Sequence, residues 1–256
     1  MLLNRFPKLI WQTYKSEAEL PAESGGCIRS WINLNPPWDH HFCSDEGLFE
    51  FFTTFFNGKL LDLYHAMPLG VMKADLWRYA VLHEFGGVYT DIDTVCLEPL
   101  DGWLDATKGK GLQVACEGGH PYFCQWTIIA AAGHPALKHA LELIAERVAA
   151  TGGVVDETMP HYVHHYTGPS LWTAAIQRYL GTTLDAFELR DRPELWAERD
   201  IQILPRDFFS GVKVLHCFAG AHWRKAASGY ASWMEERKDV GRLVKEKPDP
   251  NPIECR

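Results

Sequence analysis

Two aspartates, Asp91 and Asp93, stand one residue apart after an apolar segment that begins at Gly87. Side chains at i and i+2 of an extended strand point to the same side, so a strand from Gly87 to Ile92 is predicted to aim both carboxylates into one space. Paired carboxylates are ligands that hold a divalent cation against a diphosphate. The pair therefore predicts cation chemistry, and the competing interpretation is a solvated acidic turn.

A second pair of charged residues, Asp75 and Arg78, lies three residues apart in the preceding segment. Residues with this spacing share a face of a helix, so they predict either a ligand-binding pair or a plain helix salt bridge. The Gly86-Gly87 pair separates this helical pattern from the strand that leads to Asp91. Both pairs are therefore expected near the end of a strand, where ligands bind in open α/β sheets.

Strands and helices alternate along the rest of the chain. Apolar periodicity and turn residues predict helices over 45–56, 75–84, 135–150 and 168–179, and strands over 8–12, 38–43, 201–204 and 212–215. Such alternation is typical of an α/β fold with a mainly parallel central sheet flanked by helices.

Composition favours one domain of moderate size. The 256 residues are 46% hydrophobic, which is enough to bury a full core, and no linker divides them. We predict a single domain over residues 1–245 and a loose, proline-rich tail over 246–256. The formal net charge of −8, with 25 scattered Lys and Arg residues, disfavours nucleic acid as a partner.

The cysteines and the apolar segments bear on the compartment. Seven cysteines, an odd number without Cys-x-x-Cys spacing, predict reduced thiols rather than a zinc site or a disulfide scaffold; they are residues 27, 43, 96, 116, 124, 217 and 255. No apolar run approaches the roughly 20 residues of a transmembrane helix. We expect a cytoplasmic protein, or one peripheral to a membrane, and a Golgi lumen for a eukaryotic form trimmed of an anchor.

The segment from Lys73 to Asp101 resembles the sugar-binding region of the Asp-x-Asp glycosyltransferases of family 32, and in particular the fungal initiation-specific α-1,6-mannosyltransferases. Further matching blocks follow in the expected order across the chain, at residues 6–13, 124–128, 133–135, 167–173 and 216–223. The resemblance implies a GT-A-type nucleotide-binding fold and a metal-dependent glycosyltransferase that acts with retention. The implied donor is GDP-mannose and the implied acceptor a glycan or glycolipid.

Several residues are candidate ligands for the implied cation. We expect Asp93 to bind Mn²⁺ or Mg²⁺ and Asp91 to serve both the cation and the sugar or ribose. His216, after the predicted strand 212–215, is expected to add a nitrogen ligand, which favours Mn²⁺; His222 is its rival. No carboxylate is placed as a covalent nucleophile, so a same-face transfer assisted by the departing diphosphate is expected.

Other candidates would hold the donor. By resemblance, Asp75 and Arg78 grip the transferred sugar. The end of the first strand is expected to form a platform for the base and ribose, because an aromatic face can stack on a base; it comprises Ile10, Trp11, Gln12 and Thr13. For Trp11 the alternative is a core position. Residues 167–170 predict a helix start whose free N–H groups could meet a hydroxyl or phosphate.

Two other functions stay open. One is a glucosyl- or N-acetylglucosaminyltransferase that uses a UDP-sugar and modifies a protein. The other is a non-catalytic module that binds a nucleotide-sugar or glycan, for which the altered block at residues 220–223 is the supporting feature. Histidines 161, 164 and 165 have poor spacing for zinc and are expected at the surface or on the acceptor side.

Overall fold

The computed structural model describes residues 6–22, 24–56, 58–106, 109–205 and 207–217. The predicted tail, the block at residues 220–223 and His222 lie outside these residues. The prediction of a single domain over residues 1–245 stays a prediction for the same reason.

A six-stranded sheet forms the centre of the molecule, with strand order β2-β1-β3-β6-β5-β7. Its strands are β1 Leu9–Thr13, β2 Asp39–Cys43, β3 Gly87–Thr90, β5 Leu112–Ala115, β6 Thr127–Ala130 and β7 Ile201–Leu204. Strand β1 runs parallel to β2 and β3, and β5 runs parallel to β7. Only β6 is antiparallel to its neighbours in this sheet. The predicted α/β architecture with a mainly parallel sheet is confirmed.

A second, two-stranded sheet pairs β4 with β8 in antiparallel register. These strands are Thr94–Cys96 and Val214–His216. The predicted strand over 212–215 therefore began two residues too early and ended one residue too early, because residues Phe208–Val212 form a helical turn in which Gly211 has a φ of 121°. His216 is the last residue of the strand rather than the first residue after it.

Nine helices surround the sheets in the described part of the chain. They are α1 Ser24–Leu34, α2 Asp45–Phe55, α3 Lys59–Ala66, α4 Gly70–Phe85, α5 Leu100–Ala106, α6 Pro135–Ala150, α7 Tyr162–Tyr166, α8 Pro169–Leu180 and α9 Ala186–Arg190. The four predicted helices correspond to α2, α4, α6 and α8. Helix α4 begins five residues earlier than predicted.

The sheet is covered on both faces. Ile10 and Val88 contribute to one apolar cluster, while their neighbours Trp11 and Tyr89 contribute to the other. Successive strand residues point to opposite faces, so this division shows that β1 and β3 are central strands with a core on each side. Helices α4, α6 and α8 pack on the Trp11 side.

The turn between α4 and β3 needs glycine twice. Gly86 and Gly87 have φ values of 71° and 101°, in the region that glycine favours. A Cβ on Gly86 would lie 2.6 Å from the backbone nitrogen of Ala132, and one on Gly87 would lie 2.5 Å from the carbonyl oxygen of Leu9. The close approach lets α4 reverse at once into β3, which brings its charged face to the end of that strand.

None of the six cysteines that the structure describes takes part in a disulfide bond. The sulfur atoms of Cys27 and Cys217 lie 3.8 Å apart, which is a contact between thiols. Among the described helices, none has both the length and the apolar character that crossing a bilayer requires.

Candidate functional site

The side chains of Asp91, Asp93 and His216 meet where β3 ends and the small sheet begins. One ligand atom from each residue can be chosen so that all three lie within 4.8 Å of one another. Nε2 of His216 lies 3.3 Å from Oδ1 of Asp93. Two oxygens and one imidazole nitrogen form a donor set that suits Mn²⁺, and a carboxylate-rich site also accepts Mg²⁺. The residues present therefore fit the expected cation.

Turn geometry, rather than strand alternation, places the two aspartates. Strand β3 ends at Thr90, so Asp91 and Asp93 lie in the turn to β4. The hydroxyl and the backbone N–H of Thr94 both donate to the carbonyl of Asp91, at 2.6 and 3.2 Å. The expectation of a strand to residue 92 was wrong, although the turn brings both carboxylates to the same place.

The pairing of β4 with β8 brings His216 next to the turn that carries the two aspartates. Thr94 lies opposite His216 in the register, and the N–H of Cys217 donates to the carbonyl of Asp93 at 2.9 Å. The indole of Trp126 stacks on the imidazole of His216, with ring centroids 4.8 Å apart and planes inclined by 20°. Trp126 also accepts the N–H of Asp91 through its carbonyl, at 2.9 Å. One residue thus supports two members of the cluster.

The two carboxylates of this cluster lie close together, and this excess of negative charge favours the binding of a cation. Burial raises the pKa of Asp91, with a further rise from Asp93, while Arg78 opposes the change. For His216, burial favours the neutral imidazole, but the hydrogen bond and charge of Asp93 outweigh it and raise the pKa. A divalent cation would stabilise both carboxylates in the charged form and take the place of the imidazole proton.

Asp75 and Arg78 form a buried pair beside this cluster. Arg78 contacts Asp75 Oδ1 at 2.9 Å and Asp91 Oδ1 at 3.5 Å, so the guanidinium bridges the helix and the strand end. The hydroxyl of Thr167 donates to Asp75 Oδ2 at 2.8 Å, and the Gln125 amide donates to Oδ1 at 3.2 Å. Asp75 and Arg78 thus form the helix salt bridge that the alternative predicted, but the bridge is buried, because the two side chains are only 1% and 5% exposed.

The two acids that contact Arg78, Asp75 and Asp91, differ in their exposure to solvent. The side chain of Asp91 is 28% exposed, whereas that of Asp75 is 1% exposed and has partners on both oxygens. Burial raises the pKa of Asp75 to about 6, against the opposing effects of Arg78 and Thr167. Asp91 is thus the carboxylate of this pair that faces open space, and Asp75 holds Arg78 behind it. Contact of Asp75 with the sugar stays a prediction.

Tyr89 completes the surroundings of Asp91. Its hydroxyl donates to Asp91 Oδ1 at 2.6 Å, and the guanidinium carbon of Arg78 lies 4.5 Å from the centre of its ring. Burial opposes the charged guanidinium, but its charge interactions with Tyr89, Asp75 and Asp91 outweigh burial and raise the pKa of Arg78. Arg78 therefore carries a fixed positive charge next to the predicted diphosphate site.

The predicted nucleoside platform at the end of β1 lies in the core. Trp11 is 6% exposed, stacks on His41 with centroids 4.6 Å apart, and donates its indole N–H to the carbonyl of Gly86 at 2.8 Å. The structure thus favours the core alternative for this ring, because packing covers it. Ile10, Gln12 and Thr13 are also buried. Their contact with a nucleoside stays a prediction that depends on the position of β1 in the sheet.

Gln12 has a different contribution that the sequence did not indicate. Its amide nitrogen donates to the carbonyl of Asp91 at 3.2 Å, and its oxygen lies 2.7 Å from Nε2 of His40. Burial and the neighbouring His41 lower the pKa of His40 to about 4, so this imidazole is neutral and can donate to Gln12. The side chain therefore helps to hold the turn that carries the aspartates.

Gln125 is the site residue that sequence reasoning missed. Its amide contacts Asp75 and accepts the hydroxyl of Tyr79 at 2.6 Å, while its carbonyl accepts from Arg78 at 2.8 Å. A signal was available, since Gln125 lies in the matching block at residues 124–128. The histidines at 161, 164 and 165 form no potential metal cluster among the described residues.

Known proteins match this chain in the same region. Residues 21–110 match the family described as "Glycosyltransferase sugar-binding region containing DXD motif". The chain is 29% identical over 238 residues to the initiation-specific alpha-1,6-mannosyltransferase of Candida albicans, covering 81% of this chain and 61% of that protein. The enzyme of the same name from Schizosaccharomyces pombe is 32% identical over 230 residues, covering 80% and 57%.

Two further matches are more partial. Inositol phosphoceramide mannosyltransferase 3 of S. pombe is 33% identical over 128 residues, covering 46% of this chain and 35% of that protein. A solved structure described as "PaToxG Glycosyltransferase" has a TM-score of 0.49 and 16% identity, covering 69% of this chain and 70% of that one. The chain spans about three fifths of the length of the curated relatives that match most of it. It contains a DXD-type glycosyltransferase sugar-binding region and is homologous to the fungal initiation-specific α-1,6-mannosyltransferases over most of its own length.

Proposed function

We propose that this protein is a metal-dependent glycosyltransferase of the GT-A type that transfers mannose, with retention, from GDP-mannose to a glycan or glycolipid. Asp91, Asp93 and His216 form what we call the cation cluster. The observation that carries the proposal is that Arg78, paired with Asp75, also contacts Asp91 of this cluster. Homology to enzymes named mannosyltransferases supports the choice of sugar.

The charges at this edge suit the cleavage of a sugar diphosphate. Mn²⁺ or Mg²⁺, held by Asp91, Asp93 and His216, would supply charge neutralisation for the departing diphosphate. Arg78 adds a fixed positive charge within 3.5 Å of Asp91, and fixed charges in a site with little water are effective at stabilising a transition state. Asp91, the more exposed acid, would accept a hydrogen bond from a hydroxyl of the donor.

The same arrangement supports transfer on one face of the sugar. The bond from the anomeric carbon to the diphosphate breaks while the bond to the acceptor oxygen forms on the same side. The acceptor proton passes to the departing diphosphate, so this route needs no enzymic nucleophile. The protein contributes binding and orientation, which in well-aligned reactions contribute much of the rate enhancement.

A donor panel tests the proposal. Binding and nucleotide release are measured for GDP-mannose, UDP-glucose and UDP-N-acetylglucosamine, each with and without Mn²⁺. We expect GDP-mannose to bind and to release GDP in a Mn²⁺-dependent reaction. Turnover of a UDP-sugar alone would replace the proposed donor, and binding without turnover under any condition would support the non-catalytic module instead.

A further inference from the structure

One carboxylate at the same edge of the sheet has no part in the chemistry described so far. Strand β6 is antiparallel to both β3 and β5, so β3 and β5 end at the same edge. Glu117 follows β5 by two residues, and Asp91 follows β3 directly. The topology therefore places Glu117 at the same edge of the sheet as Asp91, on the side where β5 and β7 lie.

A tight hairpin over residues 116–123 holds Glu117 in place. Cys116 forms a β-bridge with Phe123, and the N–H of Glu117 donates to the carbonyl of Tyr122 at 2.8 Å. The hairpin is tied to α8, because the N–H of Phe123 donates to the hydroxyl of Thr173 at 2.9 Å. Its base is buried while residues 118–121 are exposed, so the 116–123 hairpin presents its tip to solvent from a fixed base.

Glu117 lies beside the cation cluster without belonging to it. Among the described residues, the group that could hold a metal comprises Asp91, Asp93 and His216 alone. The Glu117 carboxyl is half-buried and makes no hydrogen bond to the described part of the chain. Burial raises the pKa of Glu117, and the charges of His120 and His216 oppose the rise.

Aromatic and imidazole rings continue the surface away from Glu117. The rings of Tyr122 and His164 have centroids 6.3 Å apart, and those of His164 and His161 are 6.0 Å apart. His161 has a φ of 57°, the only non-glycine positive φ among the described residues. Backbone strain of this kind persists where the surroundings demand it and is frequent at binding sites. The 116–123 hairpin and the start of α7 thus form one lining.

The charge of this lining argues for a neutral ligand. Residues 116–123 and 157–167 contain neither Lys nor Arg. Burial and the neighbouring His161 and His120 lower the pKa of His164, so its ring is uncharged near neutral pH. Phosphate groups are bound by guanidinium and ammonium groups. A lining of rings with one free carboxylate suits a molecule that has an apolar face and several hydroxyl groups.

We propose that the 116–123 hairpin and the first turn of α7 form the acceptor subsite of the proposed transferase, and that this subsite takes a neutral hexopyranoside. The inference depends on the proposed function, since an acceptor presupposes a donor. Glu117 accepts a hydrogen bond from the attacking hydroxyl and orients its oxygen towards the anomeric carbon. The proton leaves with the diphosphate, so Glu117 begins and ends the step as a carboxylate.

Two reactions separate this inference from the function it rests on. One is release of GDP from GDP-mannose in water, and the other is transfer to methyl α-D-mannopyranoside. We expect Glu117→Ala to bind Mn²⁺ and GDP-mannose as the wild type does and to lose transfer by at least about tenfold, the effect of one charged hydrogen bond. Most of the loss should appear as a higher KM for the acceptor. Glu117→Gln should restore part of the transfer and serves if the alanine variant folds poorly.

The matched control is Glu50→Ala, because Glu50 is an exposed carboxylate on α2, which packs against β2 at the end of the sheet farther from β5. A wild-type protein that neither binds nor hydrolyses any donor defeats the proposed function itself. Wild-type hydrolysis together with unchanged transfer in both Glu117 variants overturns the inference alone. It is also overturned if mannose 6-phosphate accelerates donor turnover and the neutral glycoside does not, or if neither sugar changes donor turnover.

Discussion

At the residue scale, the site depends on one guanidinium that serves two carboxylates. Arg78 lies between Asp75, on the same helix, and Asp91, at the end of β3. Removing one partner of a buried ionic pair leaves an uncompensated charge. Asp75 and Asp91 are therefore coupled through Arg78, and a change at the buried acid is expected to alter the exposed one.

Activity should fall in acid because of Asp75. Its pKa of about 6 is above the ordinary value of 3.8, so the carboxylate that holds Arg78 is present above pH 6 and is lost below it. The kcat/KM for the donor should drop about tenfold per pH unit well below pH 6, since a single proton is bound. The effect of this group on folding stability has the opposite sign, because a raised carboxyl pKa favours the fold in acid and the contribution is lost as pH rises through 6.

The pH profile of Asp75→Asn identifies the group responsible. This variant resembles the protonated acid at every pH, so it should have low kcat/KM and lack the acid limb. An acid limb of wild-type position in Asp75→Asn would assign the titration to a different group.

Sequence reasoning grouped the charged residues that the structure brings together but not the residues that support them. Spacing alone paired Asp75 with Arg78 and Asp91 with Asp93, and the resemblance added His216. Gln125 and Thr167 contact Asp75 across 50 and 92 residues of chain. Such contacts are set by how the strands assemble, which local spacing does not contain.

At the element scale, the α4–β3 turn determines whether the two charged pairs meet. Gly86→Ala should destabilise the fold by more than about 1 kcal/mol, because alanine at positive φ is strained and its Cβ would meet backbone atoms. Gly70→Ala, at the other end of α4, is the control, since a Cβ there meets nothing within 4 Å. Urea unfolding measures both free energies. Equal stabilities would show that the turn tolerates a side chain.

The small sheet and Trp126 set the position of the histidine ligand. Aromatic pairs contribute roughly 0.5–1.5 kcal/mol beyond buried area, so Trp126→Leu should weaken Mn²⁺ binding by about three- to tenfold. Trp126→Phe retains a stacking ring and should recover much of the affinity. Calorimetric titration with Mn²⁺ measures this without a substrate. Unchanged affinity in Trp126→Leu would mean that the stack does not position His216.

The sequence predicted the ends of helices and strands correctly where apolar periodicity was strong. The prediction was wrong where a turn interrupted the segment. Helix α6 and strand β7 match their predicted ranges fully. Strand β8 was misplaced because Gly211 allows a helical turn in a segment whose valines favour a strand. The sequence also left Trp11 open between core and platform, because its environment depends on His41, in the adjacent strand β2.

At the scale of the whole molecule, the fold brings the two halves of the proposed reaction to one edge. The parallel strands β1 and β3 lead to the predicted donor side, and β5 leads to Glu117. With cores on both faces, the sheet is a rigid support on which loops present the reacting groups. The compartment and the absence of nucleic-acid partners stay predictions from the sequence.

The proposed function depends most directly on the claim that turnover requires a cation held by Asp93. Release of GDP from GDP-mannose is measured across a Mn²⁺ titration for the wild type, Asp93→Ala and Asp93→Asn. Asp62→Asn, which changes an exposed carboxylate on α3, is the control. Circular dichroism confirms that each variant is folded.

We predict Mn²⁺-dependent release by the wild type and the control, and a loss of about 100-fold or more in both Asp93 variants, as expected when transition-state charge loses its stabilisation. Release that does not depend on Mn²⁺, or full activity in a folded Asp93→Ala protein, would contradict the claim.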